Sequence, residues 1–198
     1  MRATISAEKE IGIVNAIAWT ELGGDLLKIE AMALPGSGHL ELTGQLGDVM
    51  KESAKAAISY IRREAEKLGI APDFYKTKDI HIHVPEGAVP KDGPSAGITM
   101  ITALVSELTG IPARRDVSMT GEITLHGKVM AIGGLREKTM AAYLAGVKTI
   151  LIPKDNEKDI AEIADEVKNN VEIIPVSHAK EALLIALEKD PYQNRGEM

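Results

Sequence analysis

Residues 93–97 read Gly-Pro-Ser-Ala-Gly and match G-x-S-x-G inside the longer string PKDGPSAG, 90–97. A serine hydroxyl becomes a nucleophile when a neighbouring base takes its proton and hydrogen-bond donors receive the charge that develops on the attacked carbonyl oxygen. One pattern with these letters is the hydrolase elbow, in which a strand runs directly into the serine and a helix runs out of it. Here Pro85, Pro90 and Pro94 occupy the approach, and proline supplies no N–H to a strand ladder. The acid and histidine of such a triad, Asp155 or Asp159 and then His178, have to be chosen freely. A second reading is a turn and helix start with Ser95 as the cap. The glycines on either side let backbone approach a ligand closely. Free N–H groups at a helix start can also stabilise an oxyanion beside Ser95.

A base is available in GGLREKTMAAYLAG, 133–146. On a 3.6-residue wheel Lys138 falls in line with Leu135, Ala141, Ala142 and Ala145, a stripe otherwise apolar and small. An amine aimed at a core face must be paired or lose its proton, because desolvation disfavours the charged form. A lysine neutral near pH 7 serves as a general base. The competing reading is that its stem packs while the ammonium reaches water. In the run 116–125 the residues Ser118, Thr120, Glu122 and Thr124 share one face of an alternating strand, interrupted by Gly121. The Thr120 hydroxyl is placed to orient the lysine; taken alone, the same face is a solvated strand face. His81 and His83 have the H-x-H spacing that puts two imidazoles on one strand face, with Glu86 or Asp92 as a possible third metal ligand. The plainer reading is the polar face of a half-buried strand.

These side chains have to be held by something. Runs 11–20 and 25–34 are strand-like and split by Gly23-Gly24, which predicts a hairpin, and 39–43 is a third strand. Apolar residues at Met50, Ala54, Ala57, Ile58, Ile61, Ala65 and Leu68 predict a helix over 47–68. Further strands are expected at 79–84, 116–125, 148–152 and 171–176, and helices at 95–109, 135–146, 156–168 and 179–188. Strands first and βα alternation afterwards predict an α+β domain over 11–190, with a charged lead-in at 1–10 and a frayed tail at 191–198.

Composition narrows the classes. Hydrophobic residues are 44% and aromatic ones 3%, so Ala, Ile, Leu, Val and Met must fill the core. A net charge of -6 without a Lys/Arg block argues against nucleic-acid binding. The absence of cysteine removes disulfides, thiolate metal sites and cysteine nucleophiles. No signal-peptide core and no run near the ~18 apolar residues of a membrane span is present, so a soluble intracellular product is expected.

HVPEGAVPKDGPSAG (83–97), MTGEITLHGKVMAIGGLREK (119–138) and AGVKTILIPKDNEKDI (145–160) together resemble the proteolytic domain of Lon, an ATP-dependent protease. VNAIAWTELGGDLLKIE (14–30) and LTGQLGDVMKESAKAAISYIR (42–62) resemble the same domain, and PKDGPSAG is similar to the signature of its A-type branch. The resemblance implies an α+β fold of the ribosomal-S5-like group, with mixed β-sheets packed with helices. It implies a serine endopeptidase with Ser95 as nucleophile, Lys138 as base and Thr120 hydrogen-bonded to the lysine. Asp92 would bear on active and inactive loop conformations; His83 and Glu122 are supporting candidates, and Gly93, Pro94 and Ala96 belong to the oxyanion loop. It further implies hexameric rings and unfolded or damaged polypeptide substrates. An upstream ATPase domain using ATP and Mg would deliver them, in a bacterial cytoplasm rather than a mitochondrial matrix. The phosphate-loop motif G-x-x-x-x-G-K-[ST] does not occur; Gly121…Gly127-Lys128-Val129 has one residue too many and no hydroxyl. An isolated proteolytic domain with no cofactor, metal, membrane or nucleic-acid site of its own is therefore expected. A non-enzymatic S5-like binding module is the alternative.

Overall fold

In the computed structural model the described residues are 10–20 (backbone only at 19 and 20), 23–44, 46–85 and 96–192. Strands β1 (Ile13–Thr20) and β2 (Gly23–Pro35) form the expected hairpin, in register from Ile13 opposite Glu30 to Thr20 opposite Gly23. There follow β3 (Leu40–Thr43), α1 (Asp48–Glu64), α2 (Phe74–Thr77), β4 (Lys78–His83) and α3 (Gly97–Thr109). Next come β5 (Val117–Met119), β6 (Glu122–Ile123), β7 (Val129–Met130), α4 (Leu135–Leu144) and β8 (Thr149–Pro153). A 3-10 segment (Lys154–Glu162), α5 (Asp165–Asn170), β9 (Glu172–Val176) and α6 (Ala179–Ala186) complete the order.

Seven strands join in one mixed sheet, in the order β3-β4-β2-β1-β5-β8-β9. Only β2 runs against the other six. β6 and β7 make a separate two-stranded ribbon. Because side chains alternate across a strand, each face of the sheet collects its own core. Leu27, Ile29 and Ala31 of β2 pack with Met50, Ala54, Ala57 and Ile61 of α1 and with Ile101, Leu104 and Val105 of α3. Leu26 of β2 and Ile17 of β1 face the other way, onto Leu135 and Ala142 of α4 and onto Ile150, Ile152 and Val167. This mixed sheet between helices is the α+β architecture expected from the sequence.

Several expectations change. The strand read over 116–125 is two elements in two sheets. Gly121, at φ 155, breaks the run, and a Cβ there would lie 2.7 Å from Val129 Cγ1. The face read as solvated is interior at its start, since Ser118 and Thr120 are fully buried; the apolar face also fails at its end, where Leu125 is exposed. The helix over 95–109 buries every residue from Gly97 to Ser106 rather than one face, because α1 and α6 cover it on the side away from β1 and β2. The helix over 156–168 is a 3-10 segment and α5, separated where Ile163 and Ala164 turn extended and Ile163 enters the core. α2 and β7 were not anticipated; at four and two residues they are too short to show a period. At the expected frayed tail, Pro191 is buried and Tyr192 half-buried, with Lys180 Nζ 5.1 Å from its ring centroid. Among the described residues no helix is long and apolar enough to cross a membrane.

Candidate active site

Lys138 stands in the first turns of α4, where its N–H donates to Gly134 O at 3.0 Å. The helix buries Leu135, Lys138, Thr139 and Ala142, so the stripe read on the wheel is the face laid on the sheet. Arg136, off that stripe, is exposed, whereas Tyr143 packs partly buried against the same core cluster. The lysine is 4% exposed, and its Nζ donates to Thr120 Oγ1 at 3.4 Å. Burial pulls the amine from its ordinary value of 10.5 down to about 8, so a minor but usable share, roughly a tenth at pH 7, is neutral. The reading in which the ammonium reaches water does not hold. Thr120 follows β5 directly and is held from the neighbouring strand, its N–H donating to Leu151 O at 3.1 Å.

The start of α3 meets the same place. Ala96 occupies the N-cap position, without a side-chain cap. Ile98 N donates to Gly121 O at 3.0 Å, which ties the helix emerging from PKDGPSAG to the residue after Thr120. Gly97 has no room for a side chain: a Cβ would lie 2.0 Å from Glu122 Oε1 and 3.0 Å from Ile123 N. The final glycine of the motif is thus required by packing against a carboxylate. That carboxylate is itself withdrawn from water, which raises the Glu122 pKa. Its oxygens accept from Ser53 Oγ at 2.5 Å and from Ile123 N at 2.9 Å. Thr120 and Glu122, two residues apart, serve opposite neighbours: one orients the lysine, the other supports the start of α3 and bonds to α1.

Asp92, Gly93, Pro94 and Ser95 lie outside the described residues, as does Glu86. His83 is described at the end of β4. Its Nδ1 lies 2.5 Å and the Nε2 of His81 lies 2.8 Å from one hydroxyl, Thr43 Oγ1. A hydroxyl has one hydrogen to give, so at least one of the imidazoles donates to it. Among the described residues no group of three or more His, Asp or Glu side chains is arranged for a metal ion. The partners of a histidine triad are engaged elsewhere. His178 caps α6 through Nδ1, which accepts from Lys180 N at 3.1 Å, and its Nε2 meets His126 O at 2.9 Å. Asp159 Oδ2 accepts from Asn156 Nδ2 at 2.8 Å. Ser53 escaped the sequence reading, although a signal existed: it is a polar residue one position from Ala54 on the buried stripe of α1.

Comparison with known proteins adds an independent line. The family model described as the Lon protease (S16) C-terminal proteolytic domain matches residues 2–189. A Lon protease of Brevibacillus choshinensis is 60% identical over 187 residues, 93% of this chain and 24% of the relative. A Lon protease of Brucella abortus biovar 1 (strain 9-941) is 57% identical over 187 residues, 94% of this chain and 23% of the relative. One of Vibrio parahaemolyticus serotype O3:K6 is 60% identical over 181 residues, 91% of this chain and 23% of the relative. The chain spans about a quarter of the length of the curated relatives it matches.

Proposed function

The chain belongs to the family of Lon protease C-terminal proteolytic domains, and on that premise we propose that it hydrolyses peptide bonds with Ser95 as nucleophile and Lys138 as general base. The observation that carries this reading is the desolvated lysine: 4% exposed, held by Thr120 Oγ1, and pulled down to about 8 by burial. Among the described residues no ion pair holds this amine, and a buried amine is expensive to maintain; proton transfer gives it a use.

In the forward step the Lys138 lone pair takes the proton of Ser95 Oγ as that oxygen bonds to the scissile carbonyl carbon. Negative charge moves to the carbonyl oxygen, where backbone N–H groups of the Gly93–Ala96 loop stabilise it; Pro94 has none to give. The Lys138 ammonium then returns its proton to the departing amine nitrogen as the C–N bond breaks, leaving an acyl ester on Ser95. Water enters, Lys138 takes one of its protons, and the hydroxide attacks the ester carbon. The proton finally returns to Ser95 Oγ. Thr120, by accepting an N–H of Lys138, fixes the direction of the lone pair. Glu122 supports the helix that leads away from the nucleophile, while Asp92 and His83 act on the loop between β4 and α3.

The longer proteins of the family supply the rest of the proposal: an ATPase region using ATP and Mg feeds unfolded polypeptide to a hexameric ring of such domains in a bacterial cytoplasm. A serine-directed acylating inhibitor, followed by peptide mass analysis, tests the core of it. Ser95 is labelled in the wild type and not in Lys138→Ala, and either Ser95→Ala or Lys138→Ala lowers cleavage of an unstructured peptide by about 10³-fold or more. Retained cleavage in Lys138→Ala overturns the dyad and returns the base to a histidine.

A further inference from the structure

Asn156 is a buried polar side chain, 2% exposed, in the 3-10 segment just after β8. Its amide closes a two-bond bracket on one residue of the loop before α4. Ile132 N donates to Asn156 Oδ1 at 2.8 Å, and Asn156 Nδ2 donates to Ile132 O at 2.8 Å. The second Nδ2 hydrogen goes to Asp159 Oδ2, also at 2.8 Å. This set fixes which amide atom is oxygen, since the reverse would set donor against donor at Ile132 N. The side chain thereby does for Ile132 what a neighbouring strand would do.

Two residues after Ile132 comes Gly134, the N-cap of α4, with φ 72 and no side-chain cap. The Lys138 N–H bonds to the Gly134 carbonyl, so the direction of entry at Ile132–Gly134 sets where the lysine points. On its other side Asn156 continues from β8, whose Leu151 carbonyl holds the Thr120 N–H. The bracket thus joins the element carrying the amine to the frame carrying its hydroxyl partner. The contact it spans, 3.4 Å from Nζ to Oγ1, is at the long end for a hydrogen bond, so a small displacement of α4 abolishes it.

We propose that Asn156 is a positioning residue for the general base: it aims α4 so that the Lys138 amine stays buried against Thr120. This rests on the Ser95–Lys138 reading, and the test separates the two. Lys138 reactivity toward acetic anhydride is followed across pH by peptide mass analysis in the full chain, beside kcat and KM for an unstructured peptide. In the wild type the reactivity midpoint falls at about 8. In Asn156→Ala it moves upward toward the ordinary lysine range as the amine reaches water, and kcat falls about tenfold with KM essentially unchanged. A merely structural asparagine gives another result: activity falls only with the folded fraction measured by thermal denaturation, and the midpoint stays in place. That overturns the proposal. If Asn156→Ala does not fold, Asp159→Ala removes just the acceptor that orients Nδ2. A smaller upward movement of the midpoint is then expected, and no movement overturns the proposal. A wild-type midpoint in the ordinary lysine range overturns the dyad reading itself.

Discussion

The two helices that lie on opposite faces of the sheet are buried in different ways. α3 is buried from Gly97 to Ser106; Thr102 Oγ1 donates to Ile98 O at 2.9 Å, Ser106 Oγ donates to Ile111 O at 2.6 Å and accepts from Gly12 N at 2.9 Å, and Thr99 Oγ1 has no partner among the described residues. α4 buries a single stripe and spends one position of it on Lys138, while Leu144 is left 43% exposed. A helix wrapped on all sides is hard to move and suits the element that continues from the loop of the proposed nucleophile. A one-sided helix can hold an amine at the boundary of the core, where burial shifts its pKa. The first arrangement favours stability and the second the proposed chemistry.

Substitutions can sharpen this contrast. Leu104→Ala in α3 should destabilise the fold by about 2–5 kcal/mol, because its cavity is closed on all sides, whereas Leu144→Ala in α4 should stay within about 0.5 kcal/mol; urea titration of both variants measures the difference. Comparable losses would erase the distinction. Lys138→Met should do the reverse and stabilise. The lysine binds its proton less well folded than unfolded, so below pH 8 the folded state carries the full desolvation cost. Between about 8 and the unfolded value near 10.4 the unfolded chain holds the extra proton, and wild-type stability rises with pH. The methionine variant should therefore be more stable at pH 7 by on the order of 2–3 kcal/mol, with the gain closing above pH ~10. Gly97→Ala, at the junction of the two regions, drives a methyl group onto the Glu122 carboxylate. About 1–3 kcal/mol should be lost by denaturant titration, together with peptide cleavage. Ser53→Ala takes one donor from the buried Glu122 carboxylate and should cost about 1 kcal/mol at pH 7. That deficit should shrink below pH ~4, where the carboxyl is protonated in both states.

Much of the lysine half of the site was legible in the chain because it depends on local periodicity. Leu135, Lys138 and Ala142 share a face in any α-helix, and the face found on the sheet is that one. The segment around Thr120 misled for the same reason. Alternation suggested one strand with a wet face, but Gly121 ends the ladder, Ser118 and Thr120 are fully buried, and Thr120 meets Lys138 of α4, a long-range contact. Ser53 with Glu122, and Asn156 with Ile132, are pairs distant in sequence, and no spacing rule brings them together.

By itself the sequence determined the hairpin, the amphipathic helices and the presence of a lysine on an apolar stripe, since those follow from side-chain periods of two and 3.6 residues. It also carried the motif in which Ser95 stands. Tertiary structure decided how dry that lysine is, that Thr120 meets it, and that the last glycine of GPSAG makes room for a carboxylate. Desolvation and close approach depend on which surfaces are brought together, and those surfaces meet only when the chain folds.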